Sequence, residues 1–372
     1  MPVLLIVINN INFLYSHRLP IALAAADQGY EVHIATCFDD EKALRHLDKL
    51  TYHYIHFNRN STNPLKDIKS CYQLYVLYKK LKPALVHHVG MKPILYGSLV
   101  ATLIGKIPYI NAVSGLGYLF INNSFKAKCI RQLLLLGFYV GFQTRRCHFI
   151  FQNNDDYELF KQKRLIKNNT VIFIRGSGVD LTLFSPVHHC SEKLIIAFPA
   201  RLLKDKGINE FVSSARLLKN TNVRFVLVGD FDDLNPTSVS SADVTGWVQE
   251  GVIEYWGWHD DMAHVFQQVD IVCLPSYREG MPKSLLEAAA AGLPIVTTDA
   301  PGCRDIVEAG VNGFLVPVKE VQLLAERLGL LIQSSVLREK MGKASRERAE
   351  QLFDIKKVVE QHLSLYHDIL KV

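Results

Sequence analysis

Two carboxylates eight positions apart, Glu279 and Glu287, flank Gly280-Met281-Pro282-Lys283-Ser284-Leu285-Leu286. The stretch follows an apolar run, DIVCLP (270–275), and enters a helical pattern that Gly292-Leu293-Pro294 ends. Gly just past a helix end is a common cap. Pro282 suits a first helical turn, where its missing N–H is not needed. The N–H groups of Lys283, Ser284 and Leu285 then point out of the helix start, where they and the helix dipole attract an anion. Gly280 lets a ligand approach its backbone closely. Glu279, in the loop, can hold sugar hydroxyls. Glu287, about one and a half turns into the helix, can hold a pair of ribose hydroxyls. An anion site between two carboxylates matches a sugar, a diphosphate and a ribose laid out in order. Taken alone, the carboxylate pair reads equally well as one face of a solvated surface helix.

The elements that must position these residues are legible as alternating apolar runs and amphipathic stretches. Strands are expected at 3–8, 31–36, 52–57, 84–89, 107–113 and 147–152, with helices near 17–28, 40–49, 65–81, 92–104 and 125–145. The rhythm restarts with strands at 193–200, 223–229, 252–257, 270–275 and 293–299, and helices near 207–219, 260–268, 282–291 and 320–333. Near-continuous apolar strands between helices mean a parallel sheet covered on both faces. The expected fold is therefore α/β, two doubly wound domains in tandem with a cleft between them. The first spans residues 1–185 and the second 190–350. A charged helical tail begins near 335, and its part from 351 to 372 packs back towards the first domain. In such sheets ligands bind beyond the carboxyl ends of the strands, so the residues that matter should follow strands directly.

The context EGxPxxLLEAxAxGxP around Glu279 and Glu287 resembles the donor site of family 4 glycosyltransferases, which have the GT-B fold of two Rossmann-like domains. The resemblance covers nearly the whole chain. Pro199-Ala200-Arg201-Leu202-Leu203-Lys204-Asp205-Lys206-Gly207 is similar to the family's loop after the first strand of the second domain. There an Arg and a Lys contact the diphosphate, which implies Arg201 and Lys206 here, with charges that offset the leaving group's negative charge. GSGVDLTLF (176–184) resembles the interdomain segment, and Gly257-Trp258-His259 the stretch that meets the nucleobase. Thr298-Asp299-Ala300-Pro301-Gly302 and Gly313-Phe314-Leu315-Val316 also fit. In the first half, Ser16-His17-Arg18-Leu19-Pro20 followed by Gly29-Tyr30-Glu31-Val32 resembles a bacterial polysaccharide subgroup. Asn9-Asn10-Ile11-Asn12 stands where many members have a Gly-rich loop. Ser114 stands roughly where many carry a His, and Gly115 and Gly117 permit close approach to a sugar.

The resemblance implies a retaining, metal-independent transferase. Its donor is a nucleotide diphosphate sugar, first of all UDP-N-acetylgalactosamine, and its acceptor a lipid-diphosphate-linked saccharide in cell-surface polysaccharide synthesis. Glu279, Arg201 and Lys206 would act on the reacting sugar and diphosphate. Gly280, Met281, Pro282, Ser284, Leu285, Glu287 and Trp258 would bind the nucleotide. His17, Ser114, Gly115 and His88 would face the acceptor. A sugar-nucleotide 2-epimerase of the same fold, or a nucleotide-sugar-binding protein without turnover, are the alternatives.

Other signals bound this reading. Asp230-Phe231-Asp232 has the spacing of a metal motif, but nothing nearby in the sequence completes an oxygen cage, so no metal is expected. His87-His88 ends a strand, where a paired His is usually structural. Seven scattered Cys without a CxxC pair suit reduced thiols better than a disulfide framework or zinc site. The N-terminus lacks the basic start and cleavage site of a signal peptide, which suggests the cytoplasm and makes the sequons at Asn60, Asn122 and Asn168 incidental. Residues 1–182 hold 22 Lys and Arg against 11 Asp and Glu, a net of +11, whereas 183–372 hold 20 against 25, a net of −5. The basic half suits phosphate, anionic lipid or nucleic acid, but no helix-turn-helix, RNP or zinc pattern supports the last. Lys126 to Arg146 has basic ends and an apolar middle too short to span a bilayer. It reads either as an interfacial helix on the inner face of the cytoplasmic membrane or as an ordinary buried helix.

Overall fold

The computed structural model describes residues 1–38, 44, 47–57, 64–116, 120, 124–186, 193–219 and 221–371. Most of the helix expected at 40–49, Gly117, two of the sequons (Asn60, Asn122) and nearly all of the polar stretch 188–193 lie outside them. The chain divides into two compact units, Met1–Ser177 with Lys356–Val372, and Gly178–Ile355.

Unit 1 begins β1 (Val3–Ile8), α1 (Ile11–His17), α2 (Leu19–Asp27), β2 (Glu31–Thr36), β3 (Leu50–Tyr54), α3 (Pro64–Leu81) and β4 (Leu85–Val89). It continues α4 (Met91–Ile104), β5 (Tyr109–Val113), α5 (Phe125–Gly141), β6 (Cys147–Phe151), α6 (Asn154–Gln162) and β7 (Val171–Phe173). The strands form one parallel sheet in the order β3-β2-β1-β4-β5-β6-β7. The order reverses direction between β1 and β4, which is where such a sheet opens a crevice for ligands. The helix expected at 17–28 corresponds to α2, and a separate helix, α1, precedes it. Asn10 caps α1 through Asn12 N at 2.7 Å, and the break falls at Arg18, before Pro20 in the first turn of α2.

Unit 2 runs β8 (Leu194–Pro199), α7 (Ile208–Leu217), β9 (Val223–Val228), α8 (Ser241–Gln249), β10 (Glu254–Gly257), α9 (Met262–Phe266) and β11 (Ile271–Leu274). It closes with α10 (Lys283–Ala290), β12 (Ile295–Thr298), β13 (Gly313–Val316), α11 (Val321–Gln333) and α12 (Ser335–Leu352). Its sheet is also parallel, ordered β10-β9-β8-β11-β12-β13, with the switch between β8 and β11. The last helix, α13 (Ile355–Leu370), belongs to unit 1 from Lys356 onward, with Tyr366 Oη 2.6 Å from His87 Nδ1.

The boundaries differ from the expected 185 and 350. Residues 178–186 pack into unit 2: Phe184 is buried with its ring 6.1 Å from Phe266, and Arg346 donates to its carbonyl at 2.6 Å. Val179 N–H donates to Phe353 O at 2.8 Å, so the chain leaves unit 2 only after residue 355.

Candidate active site

Arg201 follows β8, and the Ser276–Pro282 loop follows β11, so both stand at the switch point of unit 2. Gly207 joins them. Its φ is +79°, and a Cβ there would lie 2.1 Å from the Pro275 carbonyl oxygen, so the turn carrying Lys206 can press directly on the end of β11. Lys206 Nζ donates to Glu279 Oε1, which lies 2.8 Å from Ser276 Oγ. Both side chains of the ion pair are mostly buried. Gly302 closes the loop from the other side. Its φ is +79°, and a Cβ would stand 2.6 Å from the Glu279 carbonyl oxygen and 2.5 Å from that of Gly280. Arg201 is held by Asp232, the second carboxylate of the Asp-x-Asp spacing, while Asp230 Oδ1 accepts from the N–H of Phe231.

At the start of α10, Pro282 is the cap residue with φ −68° and ψ 118°, one place earlier than a first-turn position. The expected trio of open N–H groups becomes two. Leu285 N–H already donates to Pro282 O at 3.0 Å, leaving those of Lys283 and Ser284 without a protein acceptor among the described residues. The side chains of Met281 and Leu285 are packed in the core of unit 2, so only their backbones can meet a ligand. Glu287 is 6 % exposed and lies 3.1 Å from Lys283 Nζ. Burial raises its carboxyl above the ordinary value, and Lys283 pulls the other way. Trp258, just past β10, is 65 % exposed and donates to Asp260 at 3.1 Å.

In unit 1, Ser114 and Gly115 follow β5 directly, with Gly115 at φ +104°. His17 ends α1 and stacks on Phe13 at 4.1 Å. Ser16 Oγ donates to Asn12 O at 2.7 Å and lies 2.6 Å from His17 Nδ1, which makes Nδ1 the donor of that pair. His88 is placed otherwise than expected. It is buried in β4, with Nδ1 2.8 Å from Asn111 Oδ1 and Nε2 2.8 Å from Tyr78 Oη. Both nitrogens are taken inside the core, and burial holds its pKa at about 4, so it is a neutral core residue rather than an acceptor-side group.

Sequence reasoning missed Ser276, and it quoted Gly207, Gly302 and Asp232 without seeing that they build the loop or hold Arg201. Asn9, quoted only as standing in place of a Gly-rich loop, follows β1 at the switch point of unit 1, and its Oδ1 is buried with no hydrogen-bond partner among the described residues. The signals were a Gly in a turn after Lys and polar residues directly past strand ends.

Two family models match, "Glycosyl transferase 4-like" over residues 3–154 and "Glycosyl transferases group 1" over 183–348. A Campylobacter jejuni protein named N,N'-diacetylbacillosaminyl-diphospho-undecaprenol alpha-1,3-N-acetylgalactosaminyltransferase is 32 % identical over 96 % of both chains. This chain belongs to the family 4 glycosyltransferases. The Escherichia coli UDP-Gal:alpha-D-GlcNAc-diphosphoundecaprenol alpha-1,3-galactosyltransferase is 27 % identical to this glycosyltransferase over 82 % of its chain and 81 % of the relative's. Among solved structures, sucrose-phosphate synthase from Thermosynechococcus elongatus superposes with a TM-score of 0.83 at 19 % identity over the full length of both chains. Anabaena HepE in complex with UDP-glucose superposes at 0.79 and 17 %, over 99 % of this chain and all of that one. At those identities the likeness establishes the GT-B fold alone.

Proposed function

We propose that this glycosyltransferase moves N-acetylgalactosamine from UDP to a lipid-diphosphate-linked saccharide, with retention and without a metal ion, at the inner face of the cytoplasmic membrane. The observation that carries the reading is the cluster at the switch point of unit 2. Lys206 and Arg201, the two open N–H groups of α10, and the carboxylates Glu279 and Glu287 converge around loops that follow β8 and β11. The choice of sugar and of acceptor is supported by the names of the Campylobacter and Escherichia relatives.

In this reading Glu287 receives the ribose hydroxyls, and the start of α10 receives the diphosphate. Glu279 already shares its carboxylate with Lys206 and Ser276, which suits holding sugar hydroxyls better than attacking carbon. The bond between the anomeric carbon and the diphosphate oxygen breaks, and its electron pair leaves with the diphosphate. The acceptor oxygen forms the new bond on the same face and passes its proton to the departing diphosphate. Arg201 and Lys206 stabilise the charge that grows there, in place of a metal ion.

The test is a panel of uridine, guanosine and adenosine diphosphate sugars, with and without a lipid-diphosphate saccharide, scored for released nucleoside diphosphate in excess EDTA. Acceptor-dependent, EDTA-insensitive release from UDP-N-acetylgalactosamine is expected. Release without acceptor would favour the epimerase, and binding without turnover a non-catalytic protein. Loss of activity in EDTA would bring Asp230 and Asp232 back as metal ligands. In Glu287→Ala, isothermal titration should show no donor binding while the circular dichroism spectrum is unchanged. Undiminished affinity would sink the ribose assignment.

A further inference from the structure

Three neighbouring helices of unit 1 present an apolar, basic surface that nothing among the described residues covers. α5 packs on α4 through Gly137 and Gly141, where a Cβ would meet Leu95 at 2.6 Å and Ser98 at 3.0 Å. That close packing on one side leaves the opposite side of α5 outward. There Phe125 (82 % exposed), Cys129, Leu133 (70 %), Leu136 and Val140 follow each other at steps of four, four, three and four, which is a single helix face. On the other flank of α4, α3 carries exposed Ile68, Tyr72 and Val76 at steps of four, beside an open cavity of about 410 Å³ that Tyr54 and Lys80 also line. Leu103, in the last turn of α4, is 76 % exposed.

Apart from Asp67, in the first turn of α3, the charge along the segment that carries these stripes has one sign. From residue 68 to residue 154 the chain contains 11 Lys and Arg and no Asp or Glu at all. Lys69, Lys79 and Lys80 are exposed on α3, Lys106 lies past α4, and Lys128 is exposed on α5. A protein partner would need an apolar, strongly acidic surface to match this. An anionic bilayer offers both features at once, headgroups for the lysines and the acyl boundary for the stripes. No described helix is long and apolar enough to cross a membrane, so a membrane contact by these helices would lie on the surface.

We infer that the outer faces of α3 and α5, with the end of α4, form a docking surface for an anionic lipid bilayer. This deepens the proposed function, whose acceptor is lipid-linked, and extends the contact from α5 to three helices. Each basic residue near such a surface multiplies partitioning roughly fivefold and loses that gain in high salt.

The experiment is cosedimentation of the full chain with vesicles of phosphatidylcholine, with and without phosphatidylglycerol. The protein is expected to pellet with the anionic vesicles, to stay in solution with the neutral ones, and to be released by high salt. The exposed-site variants Leu133→Glu/Leu136→Glu and Lys79→Glu/Lys80→Glu should each lower binding more than tenfold with unchanged melting temperature. Equal binding to neutral vesicles, no binding, or variants that bind like the parent would overturn the inference. So would light scattering that shows a dimer, abolished by Leu133→Glu/Leu136→Glu, for a chain that binds no vesicles. Transfer to a short-chain, water-soluble acceptor separates the two readings. The variants should keep it, whereas absence of transfer in a parent that binds vesicles would remove the proposed function and leave the surface standing.

Discussion

At the scale of residues, the site is a set of opposed charges held by loops that only glycine can form. Lys206 and Glu279 neutralise each other before any ligand arrives, and Ser276 fixes the carboxylate from below. Replacing Lys206 by Ala leaves Glu279 without its cation and, in the proposed function, removes a counter-charge from the diphosphate. Loss of one such group costs about 10²–10³ in rate, and steady-state kinetics should show it mainly in kcat. Gly302→Ala tests the loop itself. The added methyl collides with backbone oxygens of Glu279 and Gly280, and the left-handed φ is unfavourable for Ala, so Glu279 must move. Activity should fall at least tenfold while nucleotide binding at Glu287 persists; full activity in this variant would contradict the assigned role of Glu279. The Glu-x7-Glu spacing was legible because it is local and sits in a strand–loop–helix pattern. The Lys206–Glu279 pair was not, since 73 residues separate its members.

At the scale of elements, hydrophobic periodicity located most strands and helices and failed where an element has little apolar content. α6 and α8 went unread, although both carry a cap that a closer look finds. Asn153 accepts from Asp156 N at 2.8 Å, and Ser240 and Asp243 form a reciprocal capping box. β7 is only three residues long, too short for a period to show. The histidines of unit 1 illustrate what packing does to a side chain. His88 in β4 and His362 in α13 are fully buried, and burial depresses their pKa values to about 4 and about 3. An unfolded histidine titrates near 6.5, so below that pH the unfolded chain gains protons that the folded one refuses. Their contribution is therefore whole above pH ~6.5 and drains as pH falls towards the folded values, by about 1.4 kcal/mol per pH unit for each residue. Urea melts at pH 7.5 and 5 should show this loss. His362→Gln should make the dependence shallower, and a pH-independent midpoint would refute the account.

At the scale of the whole molecule, each unit has its own sheet and its own core, and the chain visits unit 1 twice. The return is anchored by α13, where Tyr366 and His362 pack against His87. A ligand held by unit 2 alone should stabilise that unit alone. Uridine diphosphate at a hundred times its Kd adds about 2.7 kcal/mol to the state that binds it. Scanning calorimetry of the full chain should then resolve one transition that moves up with the nucleotide and one that does not. A single transition moving as a whole would mean that the units unfold together.

The sequence by itself determined the two α/β halves, the helix start at Pro282 with its two flanking carboxylates, and the segregation of charge into a basic and an acidic half. Those properties are carried by backbone periods and by composition, which need no partner. The tertiary structure decided what depends on residues distant in the chain. It set the boundaries at 177 and 355, because Phe184 and Val179 find their contacts in unit 2. It withdrew His88 into the core, because Tyr78 and Asn111 satisfy both its nitrogens. And it turned α5 so that its glycines meet α4 while Leu133 and Leu136 face out, since only the smaller side chains allow the helices to approach.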